Sequence, residues 1–267
     1  MALPDFAIIG AMKCGTSTLA AQLGAQDGVF MTTPKEPNFF SDAPVFVNGM
    51  GWYEALFDAA APGDLKGEAS THYTKLPVHP DAAARMHAAA PDAKLIYLMR
   101  DPVERAISHY IHEWTQGVMS GSLDEAIAQH PEIVAYSRYD LQLAPWRALF
   151  GADAILPLRL EDMKNDPQGV FDRVAAHLGR PGGFRWQNDL GAQNVSAERI
   201  RKFPLYDLLI EHPVASSLRR TLAPRWLRDA IKRKLQMRER PEPSAASRQR
   251  LAKAVADGAA AWRAAAL

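Results

Sequence analysis

The chain has a single cysteine, Cys14, among 267 residues. That excludes an internal disulfide and suits a reducing compartment. No apolar run approaches the roughly eighteen residues that a membrane-spanning helix needs. Charge of one sign is also scarce in excess: the formal net charge is +1, so no whole-molecule field steers a polyanion, and no nucleic-acid partner is expected. Repeats and low-complexity tracts are absent, although 81–90 and 254–266 are rich in alanine. No group of His, Cys and acidic residues shows metal-ligand spacing along the chain. The first apolar run begins near residue 5, which leaves no space for a signal peptide. The expectation is a cytoplasmic protein with at most a weak peripheral membrane contact. A hydrophobic content of 48% and a charged fraction of 23% are ordinary for a globular enzyme, and the length suits one α/β domain over 1–267.

The informative stretch is Ile8-Ile9-Gly10-Ala11-Met12-Lys13-Cys14-Gly15-Thr16-Ser17-Thr18. The run Phe6–Ile9 reads as a buried strand, and Leu19 and Leu23 continue a helical period after the loop. A glycine loop leading from a strand into a helix builds an anion cradle. Backbone N–H groups and the helix dipole face the anion, and Lys13 adds a formal charge. A nucleotide-triphosphatase loop places lysine directly after the second glycine; here Lys13 stands two residues before Gly15. A plain tight turn is the bland alternative.

A second segment has the same character. Leu95–Met99 is a near-continuous apolar run, as in a strand covered on both faces. Arg100-Asp101-Pro102 follows, with Asp101 suited to a helix N-cap and Pro102 to the first helical position. Arg100 therefore sits at the carboxyl end of a strand, where open α/β sheets bind ligands. Ser108 lies two turns along the same helix as Asp101. Arg100 and Ser108 could hold a second phosphate, or be a surface arginine and an exposed helix serine.

Together these segments resemble the sulfotransferases that use 3′-phosphoadenosine 5′-phosphosulfate (PAPS), most of all the heparan-sulfate-type branch and its bacterial relatives. Four further stretches carry the resemblance. They are Lys35-Glu36-Pro37-Asn38-Phe39-Phe40, Gly67-Glu68-Ala69-Ser70-Thr71-His72-Tyr73, the spacing Tyr139, Leu143, Trp146, and Leu160-Glu161-Asp162-Met163-Lys164-Asn165-Asp166-Pro167. It covers about residues 5 to 180. It implies a P-loop-like three-layer α/β fold with a mainly parallel central sheet, and a helical C-terminal cap over about 181–267. It also implies sulfuryl transfer from PAPS to a hydroxyl, less readily an amine, of a carbohydrate or small-molecule acceptor. The product nucleotide is then 3′-phosphoadenosine 5′-phosphate (PAP), and no metal is needed.

The site residues it implies are Lys13, Cys14, Gly15, Thr16, Ser17 and Thr18 around the 5′-phosphosulfate, and Arg100 and Ser108 on the 3′-phosphate. Lys13 neutralises charge on the bridging oxygen and Glu68 takes the acceptor's proton. A lysine often follows the glutamate in this branch; Ala69 stands there instead, with His72 or Lys75 as compensators. A P-loop kinase or hydrolase, or a non-catalytic nucleotide-binding protein, are the other classes that such a fold serves.

Several residues have two readings. Cys14 could be an activated thiol beside Lys13 or merely a small residue in a tight turn. His72 and His109 could move protons or simply pack. Lys35 could reach the sulfate side or be a solvated loop lysine, while Glu36 reads as structural. Tyr139 and Trp146 share a helix face and suit a core more than an acceptor platform. Residues 199–240 hold twelve Lys or Arg against four acidic residues. They read as a solvated helical cap, a rim for an anionic ligand, or a membrane-surface element that Pro213 and Pro224 interrupt.

Expected strands are 6–9, 29–31, 66–69, 95–99 and 154–158. Expected helices are 16–25, 51–59, 81–90, 102–116, 123–129, 138–149 and 168–178. Ser122 and Glu125 form a capping box, and Gly179 ends the last of these helices.

Overall fold

The computed structural model describes residues 3–190 and 242–266. The expected features of 199–240 lie outside the described residues. Five strands, β1 (Phe6–Gly10), β2 (Val29–Met31), β3 (Leu65–Glu68), β4 (Lys94–Met99) and β5 (Ile155–Arg159), form one sheet in the order β2-β3-β1-β4-β5. Every pairing is parallel. Four strands fall, within a residue, where the apolar runs placed them; β3, expected over 66–69 mainly to put Glu68 at a strand end, runs one residue earlier. β1 is buried throughout and β4 from its second residue on, as helices covering both faces of a parallel sheet require.

The helices are α1 (Thr16–Gly24), α2 (Ala43–Phe46), α3 (Gly49–Ala55), α4 (Ala82–Ala89), α5 (Pro102–Thr115), α6 (Leu123–Gln129), α7 (Glu132–Ala135), α8 (Tyr139–Phe150), α9 (Leu160–Asn165), α10 (Pro167–His177), α11 (Ala245–Ala254) and α12 (Ala256–Ala264). The short α2, α7 and α9 and the charge-rich α11 gave no clear apolar period in the sequence. Leu251 and Val255 of the α11 segment join α5 and α6 in a second apolar cluster with Ile107, Tyr110 and Leu123. Tertiary packing, not propensity, therefore holds α11.

Local signals form as their chemistry dictates. The Asp101 carboxylate accepts from the Val103 and Glu104 N–H groups. Ser122 and Glu125 exchange both bonds of a capping box. Gly179 takes a φ of 72° beyond α10. Tyr139 and Trp146 are core, 0% and 1% exposed.

The strand order reverses at β1. From there the chain steps to β2 and β3 on one side, then to β4 and β5 on the other. The carboxyl ends of β1, β3 and β4 thus share one edge, the place where such sheets form a ligand crevice. Three of the expected site segments, those of Lys13, Glu68 and Arg100, follow these ends. Among the described residues, no helix is long and apolar enough to cross a membrane.

Candidate active site

The cradle is built at the end of β1. Gly10 is closely packed: a side chain there would run into Thr74 Oγ1 and the Tyr97 ring. Thr74 in turn donates to the Ile9 carbonyl at 2.7 Å. Lys13 takes a left-handed φ of 69°. Gly15 is the N-cap of α1 with a φ of 93° and gives it no side-chain cap. A Cβ at Gly15 would come within 2.8 Å of Leu160 Cδ1. Asp101 and Ser122 take the first N–H groups of α5 and α6; α1 has no such side chain, and an uncapped helix start can receive an anion. Ser17, in that first turn, accepts a hydrogen bond from Lys35 Nζ at 3.1 Å. An uncapped helix N-terminus that follows Lys13 and is met by Lys35 at Ser17 fits the phosphosulfate end of a nucleotide.

Cys14 does not contribute in the way its position suggested. Its thiol is fully buried, 3.8 Å from the Tyr139 hydroxyl, and its N–H donates to the Ala11 carbonyl. Burial pushes the thiol up to about 11, with Arg105 opposing. Burial thus disfavours a thiolate and the Cys14 N–H is engaged within the turn, as for a small residue that fits the loop.

Glu68 occupies the end of β3, enclosed by hydroxyl groups. It is fully buried. Oε1 accepts from the Tyr53 and Tyr73 hydroxyls, each at 2.6 Å, and Oε2 accepts from Ser70 Oγ at 2.5 Å. Burial raises its pKa, and the three hydroxyl donors only partly oppose that rise. Ser70 Oγ also accepts from the Asn38 N–H at 3.0 Å. Glu68 thereby pins α3, the turn 71–74 and the segment 35–38 together.

The segment it pins carries a second carboxylate, Glu36, beside Lys35. The Ala69 N–H donates to the Lys35 carbonyl at 3.0 Å. Lys35 Nζ lies 2.7 Å from Glu36 Oε1, and both side chains are about one-third exposed at 29% and 32%. Thr71 Oγ1 donates to Glu36 Oε2 at 2.9 Å. Ser17, Lys35, Glu36 and Thr71 thus form one polar chain leading away from the mouth of the cradle. Burial works against the Glu36 charge, but Lys35 and Thr71 outweigh it and hold Glu36 below the usual carboxylate range. Lys75 is pulled down by burial, and Glu36 is the leading carboxylate that opposes this. Glu36 was legible only as a member of a resemblance motif; nothing in its spacing separated it from Glu68.

Arg100 stands at the end of β4. Its guanidinium lies 3.5 Å from Glu104 and its carbonyl accepts from Tyr139 at 2.7 Å. Ser108, 4% exposed, lies two turns into α5. His109 is buried against Tyr136 with Nδ1 unpartnered, a packed position. His72 is turned toward Asp42, with Nδ1 2.9 Å from Oδ1. Folding also gathers a cluster that the sequence spacing hid: Asp42, His72 and His79 bring one ligand atom each within 4.8 Å of one another.

Comparison with known proteins places the chain in a family. The family described as "Sulfotransferase domain" matches residues 3–240. Human heparan sulfate glucosamine 3-O-sulfotransferase 6 is 30% identical over 184 residues, covering 66% of this chain and 52% of the relative. Mouse heparan sulfate glucosamine 3-O-sulfotransferase 3B1 is 30% identical over 186 residues, covering 66% and 46%. The chain thus spans about half the length of these curated relatives. The solved structure of a sulfotransferase from Alicyclobacillus acidocaldarius superposes with a TM-score of 0.63 at 28% identity, covering 74% of this chain and 90% of that one. The sulfotransferase domain from the curacin biosynthetic pathway shares the fold, with a TM-score of 0.51 at 15% identity over 96% and 99% of the two chains. With the family match running from before β1 to residue 240, this chain belongs to the sulfotransferase family.

Proposed function

We propose that the protein transfers a sulfuryl group from PAPS to a hydroxyl of a carbohydrate or small-molecule acceptor. The bond from sulfur to the phosphate oxygen of PAPS breaks, the bond from sulfur to the acceptor oxygen forms, and PAP leaves. The nucleotide supplies an activated sulfate; the protein supplies position and charge. The N–H groups at the start of α1, with Thr16 and Ser17, hold the phosphosulfate end, and Lys13 balances charge on the leaving oxygen. Arg100 and Ser108 serve the 3′-phosphate. The relatives named for glucosamine 3-O-sulfation favour a saccharide hydroxyl.

The proton acceptor in this proposal is Glu36, not Glu68. A general base must come within hydrogen-bond reach of the proton it takes. Glu36 is partly exposed beside Lys35 at the cradle, whereas both Glu68 oxygens are engaged inside the core. Lys35, bridging Ser17 and Glu36, is placed to follow the sulfuryl group; its departure from Glu36 would raise that carboxylate's basicity when it is needed. Glu68 positions this pair through Ser70 and Asn38.

The observation that carries the proposal is the bridge from Ser17 through Lys35 to Glu36, which couples the anion cradle to a carboxylate. The test is thermal unfolding with PAP or ATP in chelator, followed by incubation with labelled PAPS and a panel of amino sugars, sulfated oligosaccharides and phenols. PAP should raise Tm by mass action, ATP should not, and label should pass to an acceptor. A Tm indifferent to PAP, or raised by ATP only with Mg²⁺, would overturn it.

A further inference from the structure

The described surface offers one cluster that the transfer chemistry leaves unused. Asp42 precedes α2, His72 lies in the turn 71–74, and His79 lies in the loop before α4. His72 Nδ1 is 2.9 Å and His79 Nδ1 3.8 Å from the same atom, Asp42 Oδ1. The two imidazoles stack nearly parallel, with centroids 5.1 Å apart and planes 16° apart. All three side chains are part-exposed, at 31% for His72, 27% for Asp42 and 17% for His79. Asp42 and His79 line a cavity of about 400 Å³ with Ser41, Val45 and Arg85.

We propose that Asp42, His72 and His79 bind one Zn²⁺ ion. Two imidazoles and one carboxylate are a borderline-soft donor set, suited to zinc rather than to magnesium or calcium. Zinc bonds of about 2.0–2.2 Å at tetrahedral angles put ligand atoms roughly 3.3 Å apart. The two measured separations, 2.9 and 3.8 Å, lie on either side of that value. The outer shell is present too. Ser41 Oγ donates to Asp42 Oδ1 at 2.9 Å. This contact holds the carboxylate in place, as partners around a metal do. Neutral imidazoles accept the ion at Nδ1 and carry their ring proton at Nε2, so on binding zinc His79 exchanges its Nδ1–H bond to the Ser41 carbonyl, 3.1 Å away, for the ion. The fourth position opens to the cavity and takes water.

The ion would tie together three segments that are far apart in sequence. One of them, the turn 71–74, also carries Thr71, which holds Glu36. Zinc here is therefore a clasp on the wall behind the proposed base, outside the sulfuryl transfer itself. This inference stands on the cluster's geometry and does not depend on the proposed reaction.

The test uses tag-free, chelator-treated full-length protein. Co²⁺ is titrated first, read by the visible absorption of tetrahedral cobalt, and then displaced by Zn²⁺; calorimetry with Zn²⁺ gives affinity and stoichiometry. The expected result is one ion per chain with micromolar or tighter affinity. His72→Ala and His79→Ala should each weaken zinc by more than tenfold, a loss that changes to mere outer-shell partners can already reach. His87→Ala and His130→Ala should bind as the wild type does. Circular dichroism of each metal-free variant separates a lost ligand from a lost fold. If a ligand variant misfolds, His79→Gln replaces it, and the same loss is required. No saturable binding below millimolar zinc, or binding that His79→Ala and His72→Ala leave unchanged, would overturn the site.

Discussion

Replacing Glu36 by glutamine tests the proton path most directly. The substitution keeps the side chain's length and an acceptor oxygen for Thr71, but removes the basic site. A general base contributes about a hundredfold to ten-thousandfold, which is about 2.7–5.4 kcal/mol of barrier at 1.36 kcal/mol per tenfold. Stability should hardly move. The Lys35–Glu36 pair is about one-third exposed, and such a pair contributes at most about 1 kcal/mol. That bounds the fall in Tm to about 2–4 °C for a domain of this size.

Glu68→Gln should behave in the opposite way. Three hydroxyls that now donate to a carboxylate would donate to, or accept from, a neutral amide. A bond to a charged group contributes about 1.5–3 kcal/mol and a neutral one about 0.5–1.5 kcal/mol. The relief of burying no charge offsets part of that difference. A net loss of about 1–3 kcal/mol is expected, with turnover reduced by less than about tenfold when assayed well below Tm.

The assay is initial-rate PAP release with the acceptor that takes the label, run beside thermal unfolding of both variants. The pH profile gives an independent reading. A base works only as its carboxylate, so kcat/KM falls as pH drops through the folded pKa of that group. Glu36 is held below the ordinary value of 4.5, so its acid limb lies below that pH. Glu68 is raised above the same value, so a limb due to Glu68 would lie above it. Glu36→Gln retaining more than a third of wild-type turnover, with Glu68→Gln losing a hundredfold at unchanged Tm, would refute the reasoning.

Two further outcomes are expected. Arg100→Ala should weaken PAP binding in calorimetry by about 1.5–3 kcal/mol, the scale of a hydrogen bond to a charged group, and Ser108→Ala by less; equal affinity in Arg100→Ala would remove Arg100 from the nucleotide site. Cys14 should resist alkylation in the folded protein at pH 8. Its raised pKa, about 11 against an ordinary 9.0, contributes stability that is complete below pH 9 and lost as pH rises through 11, on the order of a few kcal/mol. Denaturant midpoints that stay constant from pH 8 to 11 would contradict that burial.

The elements legible in the sequence are those whose cause is local. β1 and β4 are continuous apolar runs because a parallel sheet is covered on both faces. The caps at Asp101 and Ser122 work over two or three residues, so a short window contains both partners. The cradle is likewise a loop of consecutive residues, and the segments at Lys13, Glu68 and Arg100 fall on one edge because parallel strands end together. Pairings across the chain were not legible. Lys35 meets Ser17, Glu36 meets Thr71, and Asp42 meets His72 and His79 only when β1, β3 and the turn 71–74 are packed. A sequence motif also cannot show which of two glutamates faces solvent. Glu36 and Glu68 are chemically identical, and their roles diverge through burial and through the hydroxyls of Tyr53, Tyr73 and Ser70. Fold and candidate anion loop follow from local chemistry repeated along the chain, while the proposed acid–base assignment and the Asp42–His72–His79 cluster follow from distances that exist only in the folded molecule.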